Sequence, residues 1–202
     1  MVERFQRQSA LAHLGLAVRA AAALAKAGVL LSERGFLGQI ARRGSGDPAF
    51  VAAVEASLGF APPLEPNRVG ERGRVRVLWL GPDEWLVVTS GGREEGLAKK
   101  LLEKLQGQPA AVTEVSEARA VIGLAGSRAR DLLRHGCSLD LHPRSFGPGR
   151  CAQTLLARVP IILDQRDASP SYDIYVHRSM AEYLWGWLED AAAGYGVAVA
   201  EG

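Results

Sequence analysis

Leu78–Val88 reads LWLGPDEWLVV. Two short apolar runs flank Gly81-Pro82-Asp83-Glu84. Proline pre-sets the backbone angle that the second position of a tight turn needs, so the stretch is a β-hairpin. Downstream, Arg93–Leu105 (REEGLAKKLLEKL) puts Leu97, Leu101, Leu102 and Leu105 on one helical face, and Ala110–Val115 (AAVTEV) reads as a strand. Upstream, Gly28–Glu33 (GVLLSE), continuing through Gly38–Arg42, reads as a strand, and Pro48–Leu58 (PAFVAAVEASL) as a helix. The order is strand, helix, hairpin, helix, strand.

The same grammar returns further along. Arg119–Leu124 (RAVIGL) is strand-like, and Ser127–His135 is helical, with Gly136 where a left-handed C-cap is expected. Val159–Gln165 and Tyr172–Val176 form a second hairpin across the turn-rich RDASPS. Ser179–Ala192 reads as a helix opened by a Ser179/Glu182 capping box. Met180, Tyr183, Leu184, Trp187 and Leu188 make its apolar stripe, and Trp185 falls off it as a surface anchor or a partly buried ring. Val197–Ala200 closes as a strand. Each half thus has the ferredoxin-like order. The expected fold is α+β, two tandem ferredoxin-like repeats of about 27–116 and 117–202 fused into one pseudo-symmetric domain over 27–202. Glu114-Val115-Ser116-Glu117 passes from strand to strand with no Pro/Ser-rich linker. Residues 1–26 read as an Ala-rich, partly helical N-terminal arm suited to lie against a partner.

Composition narrows the partners. With 48% hydrophobic and 23% charged residues, the 202-residue chain is an ordinary globular sequence. Its 24 Lys and Arg against 22 Asp and Glu leave a net charge of +2, too mild and too interspersed for a nucleic-acid binder. Ala10–Leu31 superficially resembles a membrane or signal segment, but His13, Arg19 and Lys26 interrupt it, so the expectation is no membrane contact and a cytoplasmic location. Two cysteines cannot build a disulfide framework.

Cys137–Thr154 (CSLDLHPRSFGPGRCAQT), with His135 just upstream, is the densest cluster of potential metal ligands. Its pattern, His135-x-Cys137-x4-His142-x8-Cys151, lacks the paired close spacing of a zinc knuckle. Cys137 follows a helix C-terminus, where the dipole disfavours a thiolate, and Cys151 opens a strand. Gly44-Ser45-Gly46 and Gly91-Gly92 miss the dinucleotide spacing; Gly123-Leu124-Ala125-Gly126 reads as a tight turn rather than a phosphate cradle. Ser127 is a helix cap without the flanks of a nucleophile elbow. Asp131, Asp140, Asp164 and Asp173 have no carboxylate partner by spacing, and His177 reads as a strand-end histidine rather than a flavin attachment point. No catalytic, cofactor-binding or metal-ligating residue is assigned to this chain.

Four long segments nonetheless resemble one family. LWLGPDEWLVV at Leu78–Val88, EVSEARAVIGLAGSRARDLL at Glu114–Leu133, CSLDLHPRSFGPGRCAQTLLA at Cys137–Ala157 and YDIYVHRSMAEYLWGWL at Tyr172–Leu188 look like the gamma subunit of heterotetrameric bacterial sarcosine oxidase. Distantly, that family resembles the folate-binding domain of aminomethyltransferases. The resemblance implies a non-catalytic structural subunit of a complex that demethylates sarcosine to glycine with oxygen, giving hydrogen peroxide and formaldehyde or methylene-tetrahydrofolate. It implies partners in the alpha, beta and delta subunits, which carry FAD, FMN, NAD, tetrahydrofolate and zinc, and no cofactor on this chain. The aminomethyltransferase Gly-Gly-x-x-Asp-Asp run has only Val159-Pro160-Ile161-Ile162-Leu163-Asp164-Gln165 as its counterpart, so folate chemistry is not carried onto Asp164. A free-standing folate-binding, aminomethyltransferase-like protein is the alternative.

Overall fold

The computed structural model of the chain describes residues 7–20 and 27–200. After a one-turn 3-10 helix at Ala12–Leu14 and the short α1 (Leu16–Ala20), the order is β1 (Val29–Glu33), β2 (Gly38–Arg43), α2 (Pro48–Leu58), β3 (Val69–Arg72), β4 (Val75–Gly81), β5 (Glu84–Thr89), α3 (Glu94–Lys104) and β6 (Ala111–Glu114). Then come β7 (Arg119–Ala125), α4 (Ala129–Arg134), β8 (Cys151–Leu156), β9 (Val159–Asp167), β10 (Ser171–His177), α5 (Ala181–Ala192) and β11 (Val197–Val199).

The opening hairpin forms as read. β4 and β5 pair antiparallel, Trp79 faces Trp85 across the ladder, and the turn closes at Gly81 and Glu84. The strands assemble into a five-stranded sheet, β3-β4-β5-β2-β6, and a six-stranded sheet, β11-β1-β7-β10-β9-β8. Both sheets place a helix-linked strand beside the second strand of a hairpin, and both carry an extra strand, β3 or β8, outside the hairpin. β3 escaped the sequence reading because VGER alternates weakly and is half exposed.

One expectation needs correction. The GVLLSE run and the Gly38–Arg42 run are two strands in two different sheets. β2 stays with the five-stranded sheet, whereas β1 crosses to the other, pairing parallel with β11 and antiparallel with β7. Two glycines permit the insertion. A Cβ on Gly126, at φ 112°, would collide with the Gly28 carbonyl, and one on Gly123 would meet the Ser32 hydroxyl. The Gly123–Gly126 stretch is therefore where one strand is laid against another.

Burial stacks the elements in four layers. α4, α5 and the turn carrying Leu11 cover the outer face of the six-stranded sheet through Leu132, Leu133, Leu184, Trp185 and Leu188. α2 and α3 cover the five-stranded sheet through Phe50, Val54, Ala98 and Leu101. The two sheets meet through Leu78, Leu86, Val88, Val121, Cys151, Ile162 and Tyr175. Burying those seven side chains contributes on the order of 10–20 kcal/mol before chain entropy is counted.

Local expectations on α5 also shift. Arg178–Met180 is a 3-10 turn, so the helix starts at Ala181 and no side chain caps it. Its buried face is Ala181, Leu184, Trp185, Leu188 and Ala192, with Met180 45% and Tyr183 55% exposed. Small alanines at both ends let the helix lie close to the sheet, which rotates the buried stripe and makes Trp185 a core residue. Gly136 is not a left-handed cap; a Cβ there would strike the Trp187 ring. Within the arm, Leu11 is fully buried, Arg19 pairs with Glu189, and Arg178 bonds the Gln8 carbonyl at 2.5 Å. Residues 7–20 thus pack on their own chain, while residues 1–6 and 21–26 of the expected arm lie outside the described residues.

Candidate functional site

The strongest concentration of ionisable groups lies where the two sheets face each other. β4 alternates, sending Val77 toward α2 and α3, and Leu78 and Arg76 toward the other sheet. There Arg76 grips Asp164 of β9 with two hydrogen bonds, Nε to Oδ2 at 3.0 Å and Nη2 to Oδ1 at 2.8 Å. Glu71 of β3 holds the remaining Nη1. Asp164 is fully buried and stands directly opposite Asp173 in the β9–β10 ladder. Arg166 reaches Asp173 at 3.4 Å and Asp164 at 3.9 Å, and Arg34 reaches Asp173 at 3.4 Å.

Above this network opens a cleft of about 470 Å³, lined among others by Arg34, Arg74, Arg166, Thr89 and Tyr175. Its volume falls in the range of small-molecule sites. Its chemistry is quiet. Burial lowers the proton affinity of Arg76, but its bonds to Asp164 outweigh that and hold the guanidinium above its ordinary pKa. Asp164 is pushed up by burial against the pull of Arg76, and the bidentate geometry keeps the pair ionised. Burial, reinforced by Asp164 and Asp173, drives the Tyr175 hydroxyl well above 10. A general base needs a free lone pair and a pKa near the working pH. Asp164 has its oxygens committed to arginine, and Tyr175 keeps its proton.

The opposite face of the same sheet buries a second arginine. Arg42 of β2 is fully buried, its guanidinium carbon 4.3 Å from the Trp85 ring centroid and 4.4 Å from that of Phe50. None of its three nitrogens has a hydrogen-bond partner. Burial without a counter-ion pushes its pKa well below the ordinary guanidinium range, to about 9. Gly44, two residues on, makes room for the Phe50 ring, which any Cβ there would penetrate.

The residues singled out by motif do separate jobs. Cys137 and Cys151 are buried free thiols. Cys151 Sγ lies 3.3 Å from the Trp79 carbonyl, and burial pushes its thiol up to about 12. His135 meets the Tyr195 hydroxyl at 2.8 Å, and His142 Nδ1 accepts the Arg144 N–H at 3.2 Å. Leu141 is buried and Leu139 packs against the core, so the segment between α4 and β8 is a crossover whose leucines turn inward. Asp131 pairs with Arg128 and Arg134, Asp140 accepts from the His142 backbone, and His177 ends β10 exposed. Among the described residues, no three His, Cys, Asp or Glu are grouped to hold a metal ion, and no helix is long and apolar enough to cross a membrane. What sequence reading missed is the Asp164–Asp173 pairing. Counting outward from the Asp167–Ser171 pair does not find it, because the ladder slips by one residue between Ser171 and Tyr172 before Asp164 meets Asp173.

Comparison with known proteins agrees over almost the whole chain. The sarcosine oxidase, gamma subunit family matches residues 42–194. Sarcosine oxidase subunit gamma of Corynebacterium sp. (strain U-96) is 36% identical over 197 residues, covering 95% of this chain and 93% of that protein. A chain of heterotetrameric sarcosine oxidase from Corynebacterium sp. U-96, solved with pyrrole 2-carboxylate, superposes with a TM-score of 0.84 at 35% identity, covering 94% of this chain and 96% of that one. Glycine cleavage system aminomethyltransferase T from Bartonella henselae shares the fold at a TM-score of 0.63 and 14% identity, with this chain covering 50% of it. With its architecture common to both and its sequence aligned end to end with the former, the chain belongs to the sarcosine oxidase gamma subunit family.

Proposed function

We propose that this chain is the structural, non-catalytic gamma subunit of a heterotetrameric sarcosine oxidase. The complex demethylates sarcosine to glycine with oxygen, and its FAD, FMN, NAD, tetrahydrofolate and zinc belong to the alpha, beta and delta subunits. The observation that carries this reading is the colinear match to a relative of nearly equal length, 95% of this chain against 93% of that one. The inertness of the polar seam supports it, since each carboxylate of the seam is neutralised by arginine. The free buried thiols suit a reducing cytoplasm.

The test is expression with and without the larger chains. Alone, the chain shows no sarcosine-dependent oxygen uptake; together, it co-purifies in fixed stoichiometry with the flavin-bearing chains. Robust turnover by the isolated chain overturns the reading. Calorimetric titration with tetrahydrofolate separates it from the folate-binding alternative, for which a micromolar Kd, about −8 kcal/mol, is required.

A further inference from the structure

The charge of this chain is nearly balanced overall, yet one groove is not. Beside the cleft between the sheets, and sharing Arg74 and Thr89 with it, lies a groove of about 690 Å³. Arg72, Arg74, Arg93 and Lys100 line it, Val75 and Leu97 supply its apolar part, and no Asp or Glu borders it. With 24 cations against 22 acids in the sequence, such segregation departs from the interspersed pattern elsewhere.

Two of the four cations have a structural occupation. Arg72 donates to the Gly59 carbonyl and Lys100 to the Ser57 carbonyl at 2.7 Å, covering the C-terminal end of α2. Arg74, on the β3–β4 turn, and Arg93, preceding α3, are exposed and meet no carboxylate among the described residues. Thr89 is 2% exposed, and its hydroxyl has no hydrogen-bond partner although it borders both hollows. A buried unsatisfied hydroxyl beside unopposed guanidinium groups marks a place completed by an acceptor-rich group from elsewhere.

We propose that this groove is a docking site for an acidic peptide segment of another subunit of the oxidase, carrying at least two carboxylates and a small apolar side chain. The proposal rests on the subunit reading above and adds to it the face used and the chemistry of the partner. Arg74 and Arg93 take the carboxylates, Thr89 donates to the segment, and Val75 and Leu97 receive its apolar side chain. A protein segment is favoured over nucleic acid because the cations form one short trough rather than a face that tracks a phosphate backbone.

The experiment uses the complex reconstituted from co-expressed chains. Arg74→Glu/Arg93→Glu reverses the two unopposed cations, and Arg144→Glu/Lys99→Glu makes the same charge change at exposed positions outside the groove. The expected result is a loss of affinity of about tenfold or more for the first pair, little for the second, and progressive weakening of the wild-type complex toward about 0.5 M NaCl. Unchanged thermal melting of the isolated variants shows that both remain folded. A benzophenone placed through Gly96→Cys, where an added side chain meets nothing within 4 Å, is expected to capture an acidic stretch of another subunit. Wild-type assembly together with full assembly of Arg74→Glu/Arg93→Glu overturns the groove assignment alone; so does capture of a basic stretch, or of none. Capture of duplex DNA by the isolated chain, abolished in the variant, also overturns it. Failure of the wild type to assemble at all overturns the subunit reading and this one with it.

Discussion

Arg76 and Arg42 lie on opposite faces of one five-stranded sheet, and their surroundings differ in almost every respect. Arg76 is only 6% exposed and meets the carboxylates of Asp164 and Glu71. Arg42 is fully buried under two ring faces: Trp85 and Phe50 cover it, and its three nitrogens find no acceptor. The first guanidinium is held above its ordinary pKa by its partner, while burial brings the second to about 9. Burial alone, then, does not say what a charged side chain does for a fold. The partner decides the sign.

Removing the partner is the sharpest way to test that contrast. Asp164→Ala leaves Arg76 buried beside a half-exposed Glu71, and urea unfolding should show a loss of about 3–5 kcal/mol. A loss under about 1 kcal/mol breaks the contrast, because Glu71 would then suffice. Arg42→Met should act in the opposite direction, from neutral to a gain of about 1–3 kcal/mol, since it removes an unpaired buried charge and keeps the volume. Loss of contact with two rings, worth about 2 kcal/mol or more at such a desolvated site, works against that gain. A net loss of more than about 2 kcal/mol would show that the aromatic faces serve as a full counter-ion.

Smaller effects refine the picture of the seam. Arg76→Met/Asp164→Leu removes both charges at once and should stay within about 1 kcal/mol of wild type, so a double-mutant cycle gives strong coupling. Cys151, in the same seam, should resist alkylation at pH 8 in the folded protein and react fully in denaturant. Its folded pKa of about 12 lies above that of an unfolded thiol, so its contribution to stability is complete below about pH 9 and is lost as pH rises toward 12. Over that window Cys151→Ala should flatten the alkaline fall in stability by up to about 1.4 kcal/mol per pH unit.

Much of the architecture was legible because its signals are local. LWLGPDEWLVV carries its own turn, and Pro48–Leu58 carries its own start, with Asp47 accepting from the Phe50 N–H at 2.8 Å. Partner choice is not local. Nothing within GVLLSE says that it pairs with Val197–Val199 instead of the sheet of its neighbour, because alternation fixes a strand's faces and not its edges. Arg42 was half legible. In GQIARR it shares a face with Ile40, which points it into the core, but the rings that cover it come from Phe50 and Trp85. The groove of Arg72, Arg74, Arg93 and Lys100 was invisible for the same reason, since three strands, two connecting loops and two helices contribute to it.

The crossing of β1 has a consequence for how the polypeptide is made. β1 sits between β11 and β7, so the six-stranded sheet waits for a strand synthesised early and another synthesised late to find each other over more than half the sequence. A ribosome releasing residues up to Ala192 has exposed every α-helix among the described residues but leaves one edge of β1 bare. The half beginning at Arg119, produced by itself, should therefore be soluble only when a peptide spanning Val29–Glu33 is supplied in trans, which makes this junction a natural place to split the protein into a complementing pair.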